Sequence, residues 1–257
     1  MILHNKPYVS KSELNAAKNV LKSKNLSLNF QTTLFENELS KFLKISNDNV
    51  VVCSSGSAAL YLALWAVDAS NKNVAYPSYV CGAVRNAVNL INAKHNILDI
   101  YSENSPNLNK ETIQKSKSKI CIVPHMYGIP IDLTGIKNKI IIEDCCHSIG
   151  AKIDNKSVGL VGDISILSFY STKLLTSGGH GGAVFSKNKI LIKKIKDYLD
   201  FDQRKDKIYR FNFKMTEIGA AIGREQLKKL NFFLKRREKI FKDYKKTGHK
   251  FLDIRVL

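Results

Sequence analysis

The sequence predicts an α/β fold: a mainly parallel mixed sheet flanked by helices. Two observations carry this. Short Val- and Ile-rich runs alternate with stretches of helical periodicity, the pattern of parallel strands covered on both faces by crossover helices. No internal repeat or low-complexity linker interrupts the alternation, so one α/β domain is expected to fill most of the chain. With 257 residues and 44% hydrophobic content, a large core with an appendage is the expected layout.

The elements follow in order. Residues 10–24 open with Ser10 and Glu13 in capping-box spacing, and Leu14, Ala17 and Leu21 recur at helical intervals. Residues 32–45 form a second predicted helix, with Leu34, Phe35, Leu39, Phe42 and Leu43 on one face. Between them lies an Asn- and Ser-rich loop. Residues 49–56 (NVVVCSSG) read as a buried strand ending in a small-residue turn, and 57–67 as a helix. Strand and helix follow at 73–79 and 81–93. Further strands are expected at 95–100, 117–128 (with a turn), 139–146, 163–170 and 181–188. Basic helical stretches at about 189–200 and 216–246 close the series.

Composition narrows the classes. Forty-one Lys plus Arg oppose 22 Asp plus Glu, a net charge of +19. The positive charge is mostly lysine spread along the chain. No zinc finger, RNP motif or concentrated Arg stripe accompanies it, so nucleic acid is not the expected partner. A compositional bias explains the charge, and a basic surface also attracts anionic substrates. No apolar run approaches the roughly 20 residues of a membrane span. The polar N-terminus lacks a secretory pattern, which predicts a cytoplasmic protein. Five cysteines without a CxxC pair argue against a disulfide framework or a zinc site and suit small buried hydrophobes, with Cys81 set apart.

Three segments carry chemistry. In CSSGSAAL (53–60), small residues between a strand and a helix start suit a phosphate. Gly56 would allow close approach and Ser57 would offer a hydroxyl at the N-cap; an ordinary strand–helix turn is the competing reading. In IIEDCCHSIGA (141–151), a strand delivers Glu143 and Asp144 to its C-terminal end, the edge where parallel α/β folds bind ligands. A carboxylate there can hold a protonated pyridine nitrogen or merely cap the next turn. His147 can touch a ligand or satisfy a local hydrogen bond. In SILSFYSTKLLTSGGHGGAVF (165–185), Lys173 leaves a strand among Ser, Thr and aromatic residues and then meets four glycines. Such an amine can serve as a nucleophile, with Ser168 in reach of the same anionic ligand and the glycines permitting sharp turns.

Taken in order, SSGSAAL, PSYVC (77–81), HMYGIP (125–130), IIEDCCHSIGA, SFYSTKLLTSGGHGG and FNFKMTEIGAAIGREQL (211–227) resemble successive blocks of the DegT/StrS aminotransferase family. The likeness runs from about residue 7 to about 246. It implies a fold-type I enzyme dependent on pyridoxal 5'-phosphate, of the aspartate aminotransferase superfamily. By position, Lys173 matches the lysine that carries the cofactor as a Schiff base, and Asp144 the partner of its ring nitrogen. Gly56, Ser57, Ala58 and Ser168 match the phosphate cradle, His147 a position beside the cofactor, and Cys81 the residue on the ring face. Asn212 matches an asparagine that reaches the neighbouring subunit's cofactor, which implies a homodimer with shared active sites.

The implied activity is amino transfer from a donor such as glutamate to a keto-sugar linked to a nucleotide, in surface glycan synthesis. A relative that has lost turnover or acts as a regulator, and keeps dimerisation and cofactor binding, is the alternative. The layout implied is an N-terminal helical segment (1–30), a cofactor-binding large domain (31–215) and a helical C-terminal segment (216–257) as the start of a truncated small domain. Departures from the family pattern are Cys81 where an aromatic residue is common, His180 for glutamate, Arg210 and Lys214 around Asn212, and Asn25 and Asn29 for loop glycines. No metal is implied.

Overall fold

The structure is a computed structural model, and residues 6–27 and 30–248 are described. Two helices lead, α1 (Lys11–Ser23) and α2 (Phe30–Leu43). The alternating part follows as β1 (Val50–Cys53), α3 (Gly56–Ala66), β2 (Asn73–Pro77), α4 (Gly82–Leu90), β3 (Lys94–Leu98), α5 (Lys110–Lys115), β4 (Ile120–Pro124) and β5 (Ile140–Asp144). A small hairpin, β6 (Lys152–Ile153) and β7 (Lys156–Ser157), precedes β8 (Ile164–Ser168) and β9 (Gly182–Phe185). Three helices end the series: α6 (Lys189–Leu199), α7 (Glu217–Lys228) and α8 (Leu230–Lys245).

Seven strands form one sheet in the order β1-β9-β8-β5-β4-β2-β3. Every neighbouring pair is parallel except those made by β9, which runs antiparallel between β1 and β8. The expected mainly parallel sheet is therefore present, with one reversed strand. Side chains alternate between faces with the pleat. Val51, Cys53, Ile120, Ile122, Ile142, Ile164, Ile166 and Val184 pack with α3, α4 and α6. Val50, Val52, Leu167, Ala183 and Phe185 pack on the other face with α2 and α7. Farther along that second face, Cys121, Val123 and Ile141 pack with α5. Helix α3 is apolar nearly all round and is buried accordingly.

Several expectations are refined. Ser10 and Glu13 do form a capping box, yet Leu14 and Leu21 are exposed while Glu13 and Val20 are the buried residues of α1. The packed face is rotated because the polar Glu13 has partners inside: its Oε1 accepts from Gln226 Nε2 at 2.7 Å and Lys229 Nζ at 2.6 Å. Helix α2 buries Phe35, Leu39 and Leu43 as expected. The basic stretch 216–246 is two helices, α7 and α8, meeting at Lys229. Helix α5 and the β6–β7 hairpin were not anticipated. The hairpin turn has Asp154 and Asn155 both left-handed (φ 47° and 63°), the chemistry of a two-residue turn. In the first loop the left-handed residue is Lys24 (φ 60°) rather than Asn25; Asn29 lies outside the described residues. The cysteines are free. Cys53, Cys121 and Cys145 are buried and Cys81 is exposed.

Candidate active site

At the C-terminal ends of β4, β5 and β8, where the N-terminus of α3 also arrives, lies a cavity of about 420 Å³. Gly56, Ser57, Cys81, Asp144, His147, Ser168 and Lys173 all line it. These residues come from four separate segments of the chain, which only the fold brings together.

The α3 end is built by Ser55, which is the N-cap; Ser57 is inside the helix instead. Ser55 Oγ accepts the Ala58 N–H at 3.0 Å. That bond uses the Ala58 donor, and Ala58, fully inside the core, is not among the lining residues. Helix geometry leaves the Gly56 and Ser57 N–H groups without intrahelical acceptors, at the positive end of the helix dipole. Close approach explains the glycines here. A Cβ on Gly56 would stand 2.7 Å from Ser168 Cβ, and one on Gly182 would stand 2.4 Å from the Ser55 carbonyl oxygen. Ser168 Oγ accepts the Tyr170 N–H at 3.4 Å, so its own proton remains available for a ligand.

Asp144 and Glu143 are adjacent in β5 and are separated by the pleat. Asp144 turns to the cavity, and its Oδ1 accepts the Cys146 N–H at 3.0 Å, which sets the carboxylate's orientation. Glu143 is buried on the opposite face. It accepts from His125 Nε2 at 3.0 Å, Gly159 N–H at 2.7 Å and Val161 N–H at 2.9 Å. Burial works against its charge, but His125 and the backbone donors outweigh it and hold its carboxyl below the usual range. His125 Nδ1 accepts the Ile131 N–H at 3.0 Å, which leaves Nε2 as the ring nitrogen that donates to Glu143. Cys145 Sγ lies near this pair. The cluster is a hydrogen-bonded support beneath the site, with its acceptor capacity spent on the backbone.

Lys173 sits in the turn after β8, its N–H donated to Tyr170 O at 2.9 Å. The chain returns through Gly178 and Gly179, both left-handed (φ 73° and 118°), and enters β9 beside β8. This tight return is what the glycine cluster is for. His180 lines the cavity and packs tilted against Tyr170, ring centroids 5.4 Å apart. His147 is also at the rim. Desolvation first, then the neighbouring Lys173 ammonium, push its imidazolium below the ordinary histidine value, while Asp144 pulls the other way. Burial likewise pushes the Cys53 thiol up to about 12 and Cys146 upward.

Asn212 is exposed and outside this chain's own cavity; its Oδ1 accepts the Lys214 N–H at 3.2 Å. Ser55, Val80, Met126, Tyr170 and Thr172 line the cavity without having been singled out. The repeated Ser in SSGS carried a signal for Ser55, since either serine could be the cap. The others had none.

These residues fit a flat ring bearing a phosphate. The phosphate end can rest on the Gly56 and Ser57 N–H groups and the Ser168 hydroxyl, a cradle that a Cβ at Gly56 would fill. Asp144 can meet a ring nitrogen and Lys173 an aldehyde, while Cys81, exposed at the cavity edge, offers a thiol to the ring face.

The chain is 30% identical to GDP-perosamine synthase of Escherichia coli O157:H7, over 86% of this chain and 64% of that protein. It is 28% identical to the UDP-4-amino-4,6-dideoxy-N-acetyl-beta-L-altrosamine transaminase of Campylobacter jejuni subsp. jejuni serotype O:23/36, covering all of this chain and 73% of that one. The chain thus spans about two thirds of the length of these curated relatives. Helicobacter pylori PseC, an aminotransferase involved in the biosynthesis of pseudoaminic acid, superposes with a TM-score of 0.82 at 25% identity, covering 92% of this chain and 68% of that one. The model of the DegT/DnrJ/EryC1/StrS aminotransferase family matches residues 7–250, and the chain belongs to that family.

Proposed function

We propose that this chain is a pyridoxal-phosphate-dependent aminotransferase that moves an amino group from an amino-acid donor such as glutamate to a nucleotide-linked keto-sugar, as a cytoplasmic homodimer with shared active sites in surface glycan synthesis. The observation that carries the reading is the convergence of Lys173, Asp144, Ser168 and the α3 N-terminus on one cavity. The nucleotide-sugar names of the two relatives support the substrate class, and the net charge of +19 suits an anionic nucleotide diphosphate. Among the described residues no helix is long and apolar enough to cross a membrane.

Pyridoxal phosphate, when bound, supplies an aldehyde that captures amino groups and a ring that accepts the electron pair released at the substrate carbon. The protein does the rest. Gly56, Ser57 and Ser168 anchor the phosphate. Asp144, oriented by the Cys146 N–H, keeps a proton on the ring nitrogen. Lys173 Nζ would hold the cofactor through its aldehyde and, as a free amine, would carry the proton taken from the substrate carbon. His147, whose charged form desolvation and then Lys173 disfavour while Asp144 pulls the other way, can offer a hydrogen bond at the rim.

An absorbance spectrum with pyridoxal phosphate, before and after excess glutamate, tests this beside Lys173→Ala. The wild type is expected to form a visible band that glutamate converts to the pyridoxamine form, with the band absent in Lys173→Ala. A band that ignores all amino donors supports the relative without turnover. No band in the wild type refutes the cofactor and the activity together.

A further inference from the structure

Two tyrosines that the mechanism leaves unused meet at the rim of the cavity. Tyr79 precedes α4, next to the lining residues Val80 and Cys81. Tyr127 follows β4, next to the lining residue Met126. Their hydroxyls are 2.6 Å apart, their ring centroids 6.5 Å, and both rings are about half exposed (47% and 57%). Tyr127 also stacks on His147, centroids 5.9 Å apart and planes 24° from parallel.

The position of Tyr127 is enforced. Its backbone is left-handed (φ 56°, ψ 19°), a conformation that residues other than Gly, Asn and Asp rarely adopt. The buried Asn107 clamps the turn at both ends: its Oδ1 accepts the Met126 N–H at 2.9 Å and its Nδ2 donates to Ile129 O at 3.0 Å. A strained, exposed aromatic residue held by a buried clamp is the pattern of a preorganised recognition surface.

We propose that Tyr79 and Tyr127 form the contact surface for the sugar ring of the amino acceptor, an inference that rests on the reading of the site given above. The chemistry matches a carbohydrate. Half-exposed rings offer apolar faces to sugar C–H groups, and their polar tips stay wet. The pair holds two phenolic protons and spends one between its own oxygens, so one donor and several lone pairs remain for sugar hydroxyls or a carbonyl. The placement matches too. The strand order sets β2 and β4, which carry the tyrosines, on one side of Asp144 in β5, and β8, which leads to Lys173, on the other. The acceptor then enters over the tyrosines and reaches Lys173 across Asp144.

The test is saturation-transfer NMR on the whole chain with UDP-N-acetylglucosamine and GDP-mannose, and with UDP and GDP as sugar-free controls. Wild type, Tyr79→Phe and Tyr127→Gly are compared, with thermal melts and the pyridoxal phosphate spectrum alongside. Glycine adopts the left-handed backbone freely, so Tyr127→Gly is expected to melt no lower than wild type. Sugar-ring protons should receive saturation from the wild type and lose most of it in Tyr127→Gly, while UDP and GDP signals persist. Losing one phenol hydrogen bond in Tyr79→Phe should weaken nucleotide-sugar affinity roughly two- to tenfold. Sugar signals equal in all three proteins, or no transfer to sugar protons in the wild type, would overturn the inference while a cofactor band left the aminotransferase reading standing. A missing cofactor band would instead sink that reading, and the NMR result would still decide the tyrosine contact.

Discussion

Replacing Gly56 by alanine tests the phosphate cradle directly. The new Cβ would stand 2.7 Å from Ser168 Cβ, 2.9 Å from Ser168 Oγ and 3.4 Å from Ser168 Cα. Ordinary contacts between carbons lie at about 3.5–4.0 Å, so Ser168 and the start of α3 must separate by close to an ångström. Ser168 ends β8, which is paired to β5 on one side and β9 on the other, and has little room to yield. The α3 N-terminus is expected to move instead, which breaks the shared grip of the Gly56 and Ser57 N–H groups and Ser168 on one phosphate. A hydrogen bond to a charged group is worth about 1.5–3 kcal/mol. Losing one weakens pyridoxal phosphate binding by roughly 10- to 150-fold, with an overpacking cost of about 1–3 kcal/mol in stability. Cofactor titration followed by absorbance reads the first effect and urea denaturation the second. Gly82→Ala is the control, because a Cβ there meets nothing within 4 Å and should change neither. Cofactor affinity within twofold of wild type in Gly56→Ala would refute the cradle.

Two predictions concern helices α1, α2 and α7, the first two of which pack against the third. Burial opposes the charge of Glu13, but Lys229, the Ser10 N–H and Gln226 outweigh it and hold the carboxyl at about 2, below its ordinary 4.5. Because the folded value is the lower one, the stabilisation is complete above about pH 4.5 and is lost as pH falls towards 2, a term on the order of 3 kcal/mol. Glu13→Gln should flatten the dependence of the urea midpoint on pH across that window, and superimposable acid limbs would remove Glu13 as its source. Glu217, from α7, accepts the Gln31 N–H at 2.6 Å and the Thr32 N–H and hydroxyl at 3.1 and 3.0 Å, so it closes the first turn of α2 from a distance. Glu217→Ala should lower stability by about 2–3 kcal/mol in urea denaturation; a loss under about 0.5 kcal/mol would mean solvent replaces it.

Much of the fold and site was legible because the signals are local. Residues 139–146 are recognisable as a strand from their Ile run, and the pleat then settles which carboxylate meets the cavity, since Asp144 follows Ile142 by two. The Ser10 to Glu13 box lies within one helical turn. Lys173 was identifiable from its own segment and from the ordered blocks around it. The clamp on Tyr127 was not legible, because Asn107 is a bland loop residue until the turn folds over it.

From the sequence alone came the alternation of strands and helices, the small-residue start of α3, and the placing of Asp144 at a strand end and Lys173 in the stretch that leaves one. Each depends on residues a few positions apart, whose spacing sets backbone periodicity. The insertion of β9 between β1 and β8 in reversed direction was decided only by tertiary structure, as was the burial of Glu13 in place of Leu14 and Leu21. So was the meeting of Tyr79 with Tyr127. These outcomes depend on partners far away in the chain, such as Gln226 and Lys229 for Glu13. A buried charge is tolerated only where such partners arrive, and no local pattern announces that they will.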